Sequence, residues 1–215
     1  ASSRSADRLT IVRNEGNGRF SVGARIPTGG EPRYVVAADL DRDGDIDLAA
    51  PCAEGPLTLA FNDGTGRFTL DHIDLPLQTW LGVHDLDGDG HNDLFVTVGQ
   101  TPSVLHYYRG LGGGDFALAG TWLCGVYARS GSFTDLDGDG AMEVLVANLL
   151  SNSVSRFEVD SENGLEAQPI IDGLPNPRWI VTEDFDSDGA PDLALAAKNS
   201  DLLRIDMNRG DGVLT

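Results

Sequence analysis

The stretch Asp39-Leu40-Asp41-Arg42-Asp43-Gly44-Asp45-Ile46-Asp47 returns three times in this chain of 215 residues. It recurs as Asp85-Leu86-Asp87-Gly88-Asp89-Gly90-His91-Asn92-Asp93 and as Asp135-Leu136-Asp137-Gly138-Asp139-Gly140-Ala141-Met142-Glu143. A fourth copy runs Asp184-Phe185-Asp186-Ser187-Asp188-Gly189-Ala190-Pro191-Asp192. The copies begin at 39, 85, 135 and 184, steps of 46, 50 and 49 residues. A period of that size marks a repeat architecture.

The surroundings of each copy repeat too. Apolar or β-branched runs come before it, as in Tyr34-Val35-Val36-Ala37-Ala38 and Trp179-Ile180-Val181-Thr182. Others follow at once, as in Leu94-Phe95-Val96-Thr97-Val98 and Val144-Leu145-Val146-Ala147. Short apolar runs bounded by Gly, Pro and Asp predict strands buried on both faces. An alternating segment comes next, then a turn such as Asn62-Asp63-Gly64-Thr65-Gly66-Arg67-Phe68 and a last short strand. One unit is therefore four strands, A to D, with the acidic loop joining A to B, and no stretch offers an amphipathic helix of ten residues. Four antiparallel strands in roughly 40 to 50 residues predict an all-β fold, a β-propeller of four-stranded blades. A Greek-key sandwich predicts no fixed period.

The unit resembles the FG-GAP/VCBS repeat of integrin α-subunit heads and of many extracellular propellers. The resemblance rests on the four D-x-D-x-D-G-x-x-[DE] loops and on the Asn-Asp-Gly-x-Gly-x-Phe turn. It covers Leu9 to the C-terminus and implies a calcium-binding module that is secreted or held at the cell surface. Glu143 replaces the last Asp of the third loop; Asp160-Ser161-Glu162-Asn163-Gly164 and the turn from Arg109 to Phe116 are variants. In this reading residues 9–26, with Asn14-Glu15-Gly16-Asn17-Gly18-Arg19-Phe20, form strands C and D of a half blade. Blades follow at 33–70, 79–119 and 126–170. A nearly complete one at 177–215 ends inside its own strand D. An unclosed array exposes an apolar face, so further blades or a second copy are expected to cover it.

Composition agrees. There are 34 acidic and 15 basic residues, and the net charge of -19 repels nucleic acid. Seventeen of the carboxylates sit in the four loops, where they repel one another unless a cation lies among them; four divalent ions would leave about -11. No run of 18 apolar residues spans a membrane. The polar start, Ala1-Ser2-Ser3-Arg4-Ser5, lacks the apolar stretch of a signal peptide, as a mature chain would. Cys52 and Cys124 lack metal-type spacing, and either a disulfide or two buried free thiols is open.

Calcium takes six to eight hard oxygen ligands in flexible geometry. In a nine-residue loop the side chains of positions one, three, five and nine converge, and the carbonyl of seven completes the shell. These positions are Asp39, Asp41, Asp43 and Asp47 with the carbonyl of Asp45; and Asp85, Asp87, Asp89 and Asp93 with that of His91. The third set is Asp135, Asp137, Asp139 and Glu143 with the carbonyl of Ala141. The fourth is Asp184, Asp186, Asp188 and Asp192 with that of Ala190. Position six is glycine throughout, where the chain reverses. An EF-hand is excluded, because its twelfth position needs a bidentate Glu and here holds Ala50, Val96, Val146 and Leu195. The calcium expected is structural.

With calcium on one face, recognition of a protein or carbohydrate is expected on the other, where the chain enters strand A. Arg33, Tyr34, Trp80, Arg129, Arg178 and Trp179 lie there; arginine and aromatic groups stack on sugars or clamp acids, or they pack between blades. Arg209-Gly210-Asp211 falls in a turn where Gly and Asp are expected anyway. His72, His84 and His106 are scattered, and no carboxylate pair stands outside the loops. A non-catalytic module is therefore expected, with the propeller part of a polysaccharide lyase as the alternative.

Overall fold

The computed structural model describes residues 2–3, 7–99, 101–160, 164–198 and 202–214. Residues 161–163, in the variant turn of the third unit, and Thr215 lie outside these. The described residues form strands and turns without a helix, so no helix long and apolar enough to cross a membrane occurs among them. The strands make five successive antiparallel sheets and one short ribbon.

Sheet I holds β1 (Ser2–Ser3), β2 (Arg8–Gly16) and β3 (Arg19–Pro27). The expected half blade is thus a long hairpin with two residues of a further strand beside it. β4 (Gly30–Pro32) pairs later with β7 (Cys52–Glu54) in the ribbon. Sheet II holds β5 (Val36–Ala38), β6 (Asp47–Ala50), β8 (Leu57–Asn62) and β9 (Phe68–Ile73). Sheet III is β10 (Gln78–His84), β11 (Asp93–Val98), β12 (Val104–Gly110) and β13 (Phe116–Leu123). Sheet IV is β14 (Ala128–Thr134), β15 (Glu143–Asn148), β16 (Ser153–Asp160) and β17 (Gly164–Asp172). Sheet V has three strands, β18 (Pro177–Glu183), β19 (Asp192–Ala197) and β20 (Leu203–Asp206). The strand D expected at Val213-Leu214 is not formed: Met207 to Leu214 are irregular, with a bend at 210–212, and Leu214 packs against the neighbouring core instead.

The period-two alternation of strands explains why the second strands read as unbroken apolar runs. In β11, Leu94, Val96 and Val98 enter the core shared with sheet II, whereas Phe95 enters the core shared with sheet IV. In β15, Val144 and Val146 face sheet III while Leu145 and Ala147 face sheet V. A fourth core, of Leu9, Ile26, Ala50 and Ala60, joins sheets I and II. The sheets therefore stack face to face, each inner one buried on both sides.

Their first strands run side by side. The Tyr34 hydroxyl donates to the Leu81 carbonyl at 3.1 Å and accepts from the Leu81 N–H. Ile180 N–H donates to Ser130 Oγ at 3.1 Å, and the Ser132 and Thr182 hydroxyls bond at 2.8 Å. Both cysteines are free and buried, which settles the choice between thiols and a disulfide; burial pushes the Cys124 thiol up to about 12.

Candidate metal centres and the opposite rim

The four loops share one hydrogen-bond scaffold. The N–H of the position-six glycine donates to the first carboxylate in every copy: Gly44 to Asp39 (3.1 Å), Gly90 to Asp85 (2.9 Å), Gly140 to Asp135 (3.0 Å), Gly189 to Asp184 (3.0 Å). These glycines have φ of 94°, 87°, 91° and 95°, a region that side chains disfavour. The N–H groups of Asp45, His91, Ala141 and Ala190 donate to the fifth-position carboxylate at 2.7–2.9 Å. The ninth carboxylate is buried in each copy and accepts the N–H of position two, from Leu40, Leu86, Leu136 and Phe185. These bonds hold the first hairpin closed and leave other carboxylate oxygens facing one another.

Three carboxylates converge in each loop, with ligand atoms within 4.8 Å of one another. They are Asp39, Asp41 and Asp43 in the first and Asp135, Asp137 and Asp139 in the third. In the second they are Asp85, Asp87 and Asp93, and in the fourth Asp184, Asp186 and Asp192. Asp47, Asp89, Glu143 and Asp188 stand outside these sets. Both Asp47 oxygens accept backbone N–H groups, from Leu40 and Asn62, as those of Asp93 do from Leu86 and Gly110 and those of Asp192 from Phe185 and Asn208. The ninth carboxylate thus ties the loop to the far side of its sheet whether or not it joins a converging set.

The donor sets fit a hard divalent ion. Asp85 Oδ1, Asp135 Oδ1 and Asp137 Oδ1 are buried and have no hydrogen-bond partner. Burial, then repulsion from Asp47, Asp43 and Asp39, pushes the Asp41 carboxyl up. Crowded, orphaned oxygens without a thiol or imidazole in the set suit calcium better than zinc.

The third loop departs from the others. The Arg156 Nη2 lies 2.5 Å from both Asp137 Oδ2 and Glu143 Oε1, with the Glu143 side chain 1% exposed. Arg156 stands opposite Leu145, the place held by Tyr107 opposite Phe95 and by Ile205 opposite Ala194. In the second loop the Tyr107 hydroxyl donates to Asp93 at 3.2 Å, and Arg109 pairs with Asp87 at 2.7 Å from a more exposed position.

Loops and sheets are joined across the seams. Asn92 Nδ2 donates to the Asp39 carbonyl at 2.7 Å, and Gly113 N–H to the Asp41 carbonyl at 3.1 Å. The buried Asn208 donates to the Leu136 carbonyl at 2.6 Å. Its turn carries Arg209-Gly210-Asp211, closed by Gly210 and Gly212 N–H groups on Asn208 Oδ1. A cleft of about 480 Å3 opens between the third and fourth loops, bordered by Asp135, Met142, Glu183, Asp184 and Gly210.

The opposite rim lies one strand length away, about 20 Å for a seven-residue β-strand. Arg33, Tyr34, Arg129, Arg178 and Trp179 meet there, with Thr79, around a hollow of about 180 Å3. Trp80 does not join them. It is 6% exposed and sits in the core between sheets III and IV. A Cβ on Gly82 or Gly131 would come within 2.6 Å of its ring.

Stacked antiparallel sheets, each carrying an aspartate–glycine loop after its first strand, define a class of all-β repeat protein. Within that class the sequence matches the FG-GAP-like repeat over residues 1–50, 85–146 and 135–195, and the chain belongs to this family. No curated protein matches it. Among solved structures, a functionally unknown protein from Desulfotomaculum acetoxidans is similar over 99% of this chain and 63% of its own length, at 14% identity and a TM-score of 0.69. BBS1N, from its complex with ARL6DN, is similar over 100% of this chain and 68% of its own, at 13% identity and a TM-score of 0.63. A protein from Lactobacillus plantarum is similar over 95% and 68%, at 16% identity and a TM-score of 0.56. These likenesses concern the fold. The chain spans about two thirds of the length of each.

Proposed function

We propose that this chain is a calcium-stabilised β-propeller module that recognises a protein or carbohydrate outside the cell and catalyses nothing. The observation that carries the calcium reading is the set of buried, unpartnered oxygens on Asp85, Asp135 and Asp137 amid converging aspartates. The ions are structural in this reading: they neutralise the loops that hold each first hairpin and, through Asn92, Gly113 and Asn208, the seams between sheets.

The side-by-side first strands support a propeller, with sheets II to IV as complete blades. Further blades or a second copy of the chain would cover the exposed Val12, Phe20 and Val22 of sheet I and Trp179, Val181 and Leu203 of sheet V. The non-catalytic reading is supported by the histidines: His84 stacks on Phe133 at 5.1 Å, and His106 bonds to the Thr121 hydroxyl at 2.8 Å.

Thermal melting with calcium and with excess chelator tests the reading. A site occupied at a hundredfold excess of ion over its Kd adds about 2.7 kcal/mol, so chelation is expected to lower the melting temperature steeply. An unchanged curve overturns the calcium assignment. Mass in solution distinguishes a self-associating chain from a monomer.

A further inference from the structure

Arg33, Thr79, Arg129 and Arg178 occupy one position of the repeat, each directly ahead of the first-strand residues Tyr34, Trp80, Ser130 and Trp179. The stacking of sheets II to V therefore delivers all four to the same hollow. Three of the four are arginine, in a chain with only 15 basic residues against 34 acidic ones. Among the described residues none of the three forms an ion pair, although Arg109, Arg156 and Arg204 all do. Arg33 Nε and Arg129 Nε are buried without a hydrogen-bond partner.

Among the described residues no carboxylate pairs with this charge. The Arg129 guanidinium lies over the Tyr127 ring at 4.2 Å, and Tyr127 supplies it with cation–π attraction and a side-chain hydrogen bond but no full negative charge. The Arg129 pKa is pushed down by burial first, with Arg33 and Arg178 as like charges adding to this and Tyr127 opposing it. Thr79, the neutral member, turns its hydroxyl to Thr97 at 2.8 Å. Like charges gathered around one hollow, two of them half-buried with orphaned Nε donors and the third exposed at its edge, make a preformed site for a negative group.

We propose that this rim is an oxyanion site, taking one carboxylate or sulfate group between Arg33, Arg129 and Arg178. The inference rests on the recognition reading above and gives the ligand its chemical class. Guanidinium forks match planar carboxylates and tetrahedral sulfates by paired N–H bonds. The hollow of about 180 Å3 is smaller than sites for drug-sized ligands, roughly 300–1,000 Å3. One acidic group enters it rather than a whole ligand. The net charge of -19 further selects against polyanions. The expected ligand is therefore a free inorganic oxyanion or a single acid group on an otherwise neutral body, such as one sugar acid.

Calorimetric titration of the full chain in saturating calcium tests this, with sodium sulfate and methyl galacturonoside as separate probes and methyl galactoside as the neutral control. At least one acidic probe is expected to bind saturably at one site, and the neutral sugar not at all. Sulfate alone assigns the site to a tetrahedral anion; a galacturonoside that displaces sulfate assigns it to a sugar acid. The double variant Arg33→Gln/Arg178→Gln is expected to weaken binding about a hundredfold, the loss of two charge-assisted bonds. The single variant Arg178→Gln, at an exposed position, is expected to weaken it about tenfold by the same measure. Without the anion, neither variant should melt lower than the parent, because each relieves repulsion. Failure of both acidic probes, undiminished binding by the variants, or binding only of an acidic peptide overturns the proposal. Melting in calcium and in chelator, run on the same samples, reports on the calcium reading separately.

Discussion

Trp80 and Trp179 hold the same place in the repeat, opposite Thr97 and Ala196 in their sheets, yet one is 6% and the other 51% exposed. Nothing in their own sheets causes this. Sheet IV lies over Trp80, with Phe133 at 5.8 Å from its ring, and no described sheet lies over Trp179. Val181 and Ile205 are exposed on sheet V as well, whereas their counterparts Gly82 and Tyr107 in sheet III lie under the neighbouring sheet. In a stacked repeat an apolar strand face is a demand for a neighbour, and burial is decided by whether that neighbour is present.

Truncation breaks the comparison most directly. Trp80→Ala removes a ring wedged between Gly82 and Gly131, and is expected to cost about 4 kcal/mol in urea unfolding with calcium present. Trp179→Ala is expected to cost less than about 1 kcal/mol in the monomer. Equal losses would show that Trp179 is covered in solution. A Trp179→Ala loss that grows with protein concentration would identify the cover as a second copy.

The same two-fold contrast exists among the loops. Arg156 neutralises two carboxylates of the third loop, while Ile205, its counterpart, leaves the fourth loop with none of its charge offset from that position. Arg156→Ile copies the fourth unit into the third. In chelator the variant is expected to lose about 3 kcal/mol, since Glu143 keeps its buried carboxylate with the Leu136 N–H but without a positive partner. Burial already pushes the Glu143 carboxyl up despite the Leu136 N–H and Arg156. In saturating calcium the loss is expected to shrink, and calorimetry should show the third site binding calcium about tenfold more tightly, about 1.4 kcal/mol. A loss independent of calcium would mean that Arg156 only packs.

The sequence carries the loops and second strands plainly, because each is written locally. At least four carboxylates and a glycine in nine residues, followed by runs such as Leu94 to Val98, require no distant partner to be read. What it conceals lies between units. Arg156 is 13 residues from Glu143 and 19 from Asp137, and only the register of β15 against β16 brings them together. Asn208 reaches back 72 residues to Leu136. Trp80 reads like Trp179 until sheet IV is placed. The ring of Arg33, Thr79, Arg129 and Arg178 is periodic and legible in the sequence, whereas their convergence on one hollow needs the stacking of the sheets. The ninth carboxylates look like ligands in sequence; that Asp47, Asp93 and Asp192 also accept two backbone N–H groups each shows only once the strands are in place.

The smallest contrast is at position four of the loops. Gly88 and Gly138 take φ of 72° and 74°, and Arg42 and Ser187 take 66° in the same turn. A side chain in that left-handed region costs about 1 kcal/mol, offset in part by the greater freedom that glycine has when unfolded. Ser187 and Arg42 are held there by their N–H bonds to the first carboxylate, at 2.7 and 2.8 Å. Ser187→Gly is therefore expected to stabilise by about 0.5 kcal/mol, and Gly138→Ser to destabilise by a similar amount. The shift should appear in the urea midpoint with and without calcium, since the strain belongs to the backbone and not to the ion. A stabilisation by Ser187→Gly seen only in chelator would instead place the strain in the repulsion among Asp184, Asp186 and Asp192, and so in the charge that calcium neutralises.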